Sequence, residues 1–543
     1  MVANADVQAL GEAFWKWRAA TQPSSGDDIP RIERPAKWAP DWSAEAVEGR
    51  RGELSRFERE HAALGTAVAS GPVADQVDWR LLGSALARMR WELDVLRGWQ
   101  RNPHFYVHQT VTPLFESLLP PPPFTAERTS DLLARVESIP RTLDAARENL
   151  STYAVAPFAQ LAFSALEGVG PRLSRVAAEL VPVLDASGAD RVEAAMATAA
   201  RALEQFAEWL RSRAGGMSSE TALGRQAYVN FLRKVAIIDL TPEQIMAGAR
   251  QELERSIAFE AMEVLRNRGE PPWKLPSSAR EQVEREVTSE MQVRSFCEEH
   301  ELLTFPSWLR HYRYAPEPTY LAPLRGSGVF DDLTSAARLD EDGVHYIPEP
   351  TPDLPYFYLA MARDARTLIA HEGVHYYQLA RSWHQPNGLR RFYYDSGSNE
   401  GIGFYAEEML LQAGLFDDSP RSREIIYNFM RLRAIRVDID IRLALGQLTI
   451  ENAAAELASR VPMDADTARE EASFFASEPG QAITYQTGKL QVVGYLADAR
   501  RAQGQAFRLR EFHDRLWDNG NVPIALQRWE SLGLNDQVPA FSV

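Results

Sequence analysis

The run His371-Glu372-Gly373-Val374-His375 sets two imidazoles and a carboxylate at a spacing suited to a divalent metal ion and the water it activates. On an α-helix, residues four apart lie roughly 40° from alignment and about 6 Å apart along the axis, so both imidazoles can reach one ion. Glu372 falls on the adjacent face, where it meets a metal-bound water instead of the metal. Zinc lowers the pKa of such a water to about 7, and a neighbouring carboxylate can take its proton as the oxygen attacks a carbonyl. The expected cofactor is one Zn²⁺ per chain, with Glu372 as general base.

A competing reading keeps the two histidines structural, each satisfied by a backbone or carboxylate partner. The surrounding sequence argues against it. Residues 363–382 read as one continuous helix, with Leu368, Ile369, Val374, Leu379 and Ala380 apolar and no proline before Pro386-Asn387-Gly388 ends it. A largely apolar helix that buries two histidines and a glutamate must offset their desolvation, and a metal ion does so directly.

Tetrahedral catalytic zinc takes a third protein ligand and keeps one position open. Glu400 follows His375 by 25 residues, enough for a helix, a turn and an antiparallel return. It stands in the first turn of a second predicted helix, Ser398-Asn399-Glu400-Gly401-Ile402-Gly403-Phe404-Tyr405-Ala406-Glu407-Glu408. Acidic residues there also suit the helix dipole, with Ser398 or Asn399 as cap, so a purely local role for Glu400 competes with ligation. Glu407, seven residues on, shares roughly its face and is placed to hold a zinc-bound imidazole by the other ring nitrogen.

With these residues in view, the chain resembles the zincin-like bacterial family called domain of unknown function 885. The likeness lies in His375-Tyr376-Tyr377-Gln378, in Glu400-Gly401-Ile402-Gly403-Phe404-Tyr405-Ala406-Glu407, and in Pro479-Gly480-Gln481-Ala482-Ile483-Thr484-Tyr485-Gln486-Thr487-Gly488-Lys489-Leu490. Phe512-His513-Asp514 and Gly520-Asn521-Val522-Pro523 follow the same pattern. The resemblance implies a mostly helical metallopeptidase-like fold, zinc on His371, His375 and Glu400, and Glu372 as base.

It also places a tyrosine at Tyr485. A phenol aimed at the carbonyl oxygen would stabilise charge selectively in the transition state, whereas a packed aromatic ring with a satisfied hydroxyl is the other reading. Lys489 shares its face and either binds a substrate carboxylate or is solvated. Arg431, Arg433 and Arg436 either anchor a peptide C-terminus or form a solvated helix face.

Two departures from the family pattern stand out. Family members usually carry Pro-Gly inside the motif, which sets the second histidine six residues after the first and requires a local distortion; this chain has the plain four-residue spacing. Where many members have a histidine, it reads Val437-Asp438-Ile439-Asp440-Ile441-Arg442, so that histidine's role has no counterpart. Gly403 in place of a family alanine is expected to change little.

The elements that must position these residues are mainly helices. Three-to-four-residue apolar spacing marks 5–20, 44–70, 79–101, 126–148, 150–165, 171–186, 189–214, 218–234, 242–268 and 278–302. Breaks fall at Pro23-Ser24-Ser25-Gly26, at the stiff Pro120-Pro121-Pro122-Pro123 and at Gly215-Gly216. Between Pro306 and Pro355 the texture turns to short runs such as Gly326-Ser327-Gly328-Val329-Phe330 and Gly343-Val344-His345-Tyr346-Ile347-Pro348, read as strands or a hairpin. Such a segment either offers an edge strand to an extended substrate or simply packs on the helices. The expected architecture is mainly α, a large two-lobed, gluzincin-like arrangement around a central cleft. Residues 1–305 would form a helical lobe, and residues 306–543 a zinc-binding catalytic lobe with its β segment at 325–350.

Composition bounds the function. Across 543 residues, 45% hydrophobic and 25% charged content is that of a globular protein, and a net charge of −16 without a basic stripe argues against phosphate-backbone binding. Cys297 is the single cysteine, so no intramolecular disulfide can form. Residues Met1 to Val7 show no signal-peptide pattern and no run of 18 apolar residues occurs, which leads to a cytoplasmic expectation with no membrane partner. The sequence carries no signal for an oligomeric state. The functional expectation is a zinc metallopeptidase-like hydrolase acting on a peptide or small-molecule amide. Its rivals are a pathway-specific metal hydrolase or lyase for a small metabolite and a non-catalytic helical binding protein.

Overall fold

The computed structural model describes residues 2–24 and 33–540, so Ser25 and Gly26 of the first expected break lie outside it. The chain is mainly helical with one small sheet. Long helices at Val2–Thr21, Ala44–Ala69, Val73–Arg90, Ala126–Asn149, Ala186–Arg213, Pro242–Arg266 and Ala279–Glu299 follow the apolar spacing of the sequence. Several carry side-chain caps, among them Ser43, Thr125, Asp185 and Ser278, and Thr241 forms a reciprocal capping box with Gln244. The four prolines connect Val111–Leu118 to Ala126–Asn149. Among the described residues no helix is long and apolar enough to cross a membrane.

The sheet contains an antiparallel pair inside the expected 325–350 segment and adds a third strand from outside it. Its strands are β1 (Tyr312–Pro316), β2 (Asp331–Asp332) and β3 (Gly343–Ile347), in the order β1-β3-β2. β3 pairs parallel with β1 and antiparallel with β2. β1 therefore lies outside the expected 325–350 segment. β3, the strand that precedes the motif helix, is central and offers no free edge to a substrate along Val344 and His345. The segment 326–330 remains outside any strand.

The expected continuous helix over 363–382 is interrupted twice. A helix Tyr356–Arg363 ends at Asp364, whose backbone is extended. The Asp364 carboxylate accepts a hydrogen bond from the Arg366 backbone N–H at 3.0 Å and one from Ser422 Oγ at 2.6 Å. An aspartate that binds the backbone two residues on competes with helix continuation. The chain then runs through Arg366–Leu368, a π-helical turn Ile369–Gly373, and the α-helix Val374–Trp383. The plain motif spacing thus does not bring a plain helix, since His371 and Glu372 sit in a widened turn of the kind that recurs at functional sites.

A core of N-terminal helices, with Phe14, Leu81, Leu114 and Leu143, continues into Leu321, Leu389, Val522 and Leu526. A second core gathers Ile369, Val374, Tyr376, Tyr377, Ile402, Phe404, Tyr495 and Trp517 around the motif helix. The motif residues therefore rest on packed apolar side chains, which fixes their positions.

Candidate metal centre

Two helices close over the motif. The helix Ser396–Ala413 returns past it, beginning earlier than expected because Asp395 caps it by accepting the Gly397 N–H at 3.2 Å. Glu400 accordingly stands a full turn inside the helix, away from the capping positions, and is completely buried. The helix Thr484–Gln503 crosses the Glu400 helix in close contact: a Cβ on Gly401 would lie 2.6 Å from Gly488 Cα, and one on Gly488 2.0 Å from Gly397 O. Only glycine at both positions lets the backbones approach this closely.

His371, His375 and Glu400 come together as a buried cluster whose ligand atoms all lie within 4.8 Å of one another. Glu400 Oε2 is 3.1 Å from His371 Nε2 and 3.3 Å from His375 Nε2. Two ligands bound at about 2.0–2.1 Å to a tetrahedral zinc stand about 3.3 Å apart, so these separations match a shared ion. Both ring nitrogens of His375 and Oε1 of Glu400 are buried and make no hydrogen bond. Unpaired buried polar atoms are costly, and a divalent ion on the two Nε2 atoms and the carboxylate would satisfy His375 Nε2 and Glu400. The residues fit zinc.

The electrostatics of the cluster are those of charges gathered out of water. Burial and Arg433 push His371 down, but Glu400 and Glu407 outweigh them and raise its pKa to about 9. Burial raises Glu400, yet His375 and His371 hold it well below the usual carboxylate range. Half-buried Glu372 is raised by desolvation against the lowering effect of the two histidines.

Glu407 stands beside the His371 ring, on the side its spacing predicts. Its Oε1 lies 2.7 Å from His371 Nδ1 and 2.7 Å from Arg433 Nη2. Arg433 Nη2 also approaches Nδ1 to 3.3 Å, a contact that suits the opposite tautomer. Metal binding through Nε2 leaves Nδ1 carrying the proton, so the Glu407 contact is the one compatible with the metal site.

Tyr485 lies at the cluster, its ring nearly parallel to the His371 imidazole with centroids 6.0 Å apart. The Arg436 guanidinium stands over the same ring at 4.7 Å. The other basic candidates are neither solvated nor free. Lys489 is buried between Glu252 (2.5 Å) and Glu408 (2.8 Å), Arg431 pairs with Glu260 at 2.9 Å, and Arg436 pairs with Glu471 at 2.7 Å. These carboxylates lie far off in sequence, and each occupies a cation that spacing alone leaves available.

Gly403 matters more than expected. A Cβ there would fall 2.8 Å from His375 Cε1 and 3.0 Å from His371 Cε1, so the glycine makes the room in which both imidazoles stand.

The remaining motif segments hold the surrounding helices. Gln378 donates to Gly520 O at 2.8 Å, and the Tyr405 hydroxyl donates to His513 Nε2 at 2.8 Å. His513 Nδ1 in turn donates to Leu302 O at 2.7 Å, and burial pushes its pKa down to about 4, which keeps the ring neutral. Asp440 accepts N–H groups from Gly480 (2.9 Å) and Ala482 (2.8 Å) and the Tyr228 hydroxyl (3.0 Å), anchoring the loop that leads into the Tyr485 helix.

Two polar residues at this end of the molecule escaped the sequence reading. His345 on β3 and Asp331 on β2 form a buried pair, Nδ1 to Oδ1, at 2.9 Å. A histidine inside a strand-like run was the available signal. Asp331 also lines a cavity of about 360 Å³ bounded by Phe14, Arg18, Trp91, Gln481 and Thr484; none of the three cluster residues lines it.

Fold and site define a mainly α protein with a buried His-His-Glu cluster. The chain belongs to the family of bacterial proteins of unknown function known as DUF885, whose model matches residues 26–289 and 334–529. Two solved structures share the fold at 16% identity, both described as putative lipoproteins. The one from Colwellia psychrerythraea matches with a TM-score of 0.73 over 97% of each chain. The one from Shewanella oneidensis matches with a TM-score of 0.64 over 97% of this chain and 98% of its own. No curated protein matches the chain.

Proposed function

We propose that this protein is a zinc-dependent hydrolase with a gluzincin-like centre, acting on peptides or small amides. The observation that carries the reading is the buried triangle of His371 Nε2, His375 Nε2 and Glu400 Oε2, with edges of 3.1 and 3.3 Å at Glu400 and unpaired polar atoms on His375 and Glu400. Zinc on these ligands supplies Lewis acidity and lowers the pKa of a water to about 7. Glu372, one residue from His371 on the widened turn, takes the proton from the attacking water and returns it to the leaving nitrogen. Glu407 fixes the His371 ring, and Tyr485 stands beside that ring as a donor toward the carbonyl oxygen.

The two structural relatives are described as putative lipoproteins, which favours an envelope location for this chain over a cytoplasmic one. Cell fractionation decides between them.

Elemental analysis combined with digestion of a mixed peptide library tests the function. Glu372→Gln is expected to retain zinc and lose about 10²-fold or more in turnover, whereas His371→Ala loses zinc. Full activity in Glu372→Gln overturns the mechanism. A zinc-loaded chain inert toward the whole library shifts the reading to a small-metabolite hydrolase or lyase, and a chain that binds no zinc leaves a helical binding protein.

A further inference from the structure

The sheet does more than pack on the motif helix. Residues paired across strands project from the same face. The register sets Asp331 opposite His345 and Tyr314 opposite His345, with Tyr312 opposite Gly343. One face therefore carries Tyr312, Tyr314, Asp331, Gly343 and His345. That face is laid against the motif: a Cβ on Gly343 would meet the Tyr376 ring at 2.6 Å, and one on Gly373 would meet Tyr312 Cδ1 at 3.6 Å. Glu372, on the same turn as Gly373, acts electrostatically on Tyr312, Tyr314 and His345.

Within this face His345 is 4% exposed, its Nδ1 donates to Asp331 at 2.9 Å, and its Nε2 is buried without a hydrogen-bond partner. Asp331 also accepts the Tyr312 hydroxyl at 2.9 Å, which fixes the carboxylate. A position that only packed against a helix would take valine or isoleucine, because a buried ionisable pair costs desolvation that apolar packing avoids. Burial lowers the imidazole pKa, but Asp331 outweighs it, with Glu372 and Glu286 adding to the rise, so the net shift is upward and favours the imidazolium.

We propose that His345, held by Asp331, is a catalytic residue whose Nε2–H donates a hydrogen bond to an oxyanion bound beside Glu372. The inference rests on the zinc-hydrolase reading and adds to it a donor from the sheet, facing the motif turn. A preorganised donor of this kind acts on charge that develops in the transition state.

The test uses the zinc-loaded full chain with methylphosphonate, a tetrahedral oxyanion, as probe. Zinc stoichiometry is measured by elemental analysis and probe affinity by calorimetry, for the unchanged chain, His345→Phe, His345→Gln and Asp331→Asn. Both His345 variants are expected to keep their zinc and lose about tenfold or more in methylphosphonate affinity, with Asp331→Asn losing less. On the peptide library the same His345 variants lower kcat by about 10²-fold and leave KM nearly unchanged. Zinc-loaded His345 variants that bind methylphosphonate as tightly as the unchanged chain overturn the proposal. So does an unchanged zinc-loaded chain that binds none, or loss of zinc in both His345 variants. An unchanged chain without zinc fails the underlying reading instead, and elemental analysis tells the two failures apart.

Discussion

Gly403 and His375 meet so closely that a single methyl group between them would collide: the Cβ of an alanine would stand 2.8 Å from His375 Cε1. Gly403→Ala removes a helix-interior glycine, which by itself stabilises a helix by about 0.5–1 kcal/mol. Here the gain is opposed by displacement of both imidazoles. Zinc affinity, measured by competition with a chromophoric chelator, is expected to fall about tenfold or more. Unchanged affinity together with a higher Tm would show that the rings have space to move aside.

Glu407 makes a second prediction. Its Oε1 lies 2.7 Å from both His371 Nδ1 and Arg433 Nη2, where it neutralises a buried cation and would favour the tautomer that a metal ion on Nε2 requires. Glu407→Gln keeps the shape and removes the charge. Loss of such an outer partner costs about 10–100-fold in metal affinity. The same chelator competition reads the change, and wild-type affinity in this variant would mean that Arg433, not Glu407, orients the ring.

Much of this site is legible in local spacing. His371 and His375 are four residues apart with Glu372 between them, and Glu400 and Glu407 recur on one helical face, so nearest-neighbour geometry carries them. Long-range pairing hides the rest. β1 and β3 are parallel, and the residues between Pro316 and Gly343 intervene, so nothing in either short run announces the other. The π-helical turn at Ile369–Gly373 leaves the apolar pattern of a helix intact and is invisible to periodicity. Lys489 looks available until Glu252, 237 residues earlier, is brought beside it. Asp395 as cap was missed because two serines and an asparagine follow it closely, all good capping residues.

The protonation of His371 gives a pH signature to the metal-free protein. Its folded pKa of about 9 exceeds the ordinary 6.5, so the folded state binds the extra proton. The resulting stabilisation is fully present below pH 6.5 and is lost as pH rises through 9. Chelator-treated protein should therefore show a falling Tm across that window. Zinc must displace this proton, so its affinity rises with pH up to about 9 and its binding releases protons. Calorimetry in buffers of different ionisation enthalpy measures that release. A metal-free Tm that is flat from pH 6.5 to 9 would contradict the charged His371–Glu400–Glu407 arrangement.

The buried Asp440 carboxylate gathers Gly480 N–H, Ala482 N–H and the Tyr228 hydroxyl. Asp440→Ala leaves these buried donors without an acceptor and should cost about 3 kcal/mol, read by denaturant unfolding. The charge itself has a further signature. Burial raises the Asp440 pKa from 3.8 to about 7 despite its donors, so the folded chain holds a proton that the unfolded chain releases. The contribution of this group to stability therefore declines as pH rises from 3.8 to 7 and is level above that. Asp440→Asn cannot titrate and lacks the decline. The stability of the unchanged chain relative to Asp440→Asn should thus be greatest near pH 4 and shrink toward pH 7. A difference that stays level from pH 4 to 7 would mean that the three donors keep Asp440 ionised throughout, and that the loop before Tyr485 is held by a full charge.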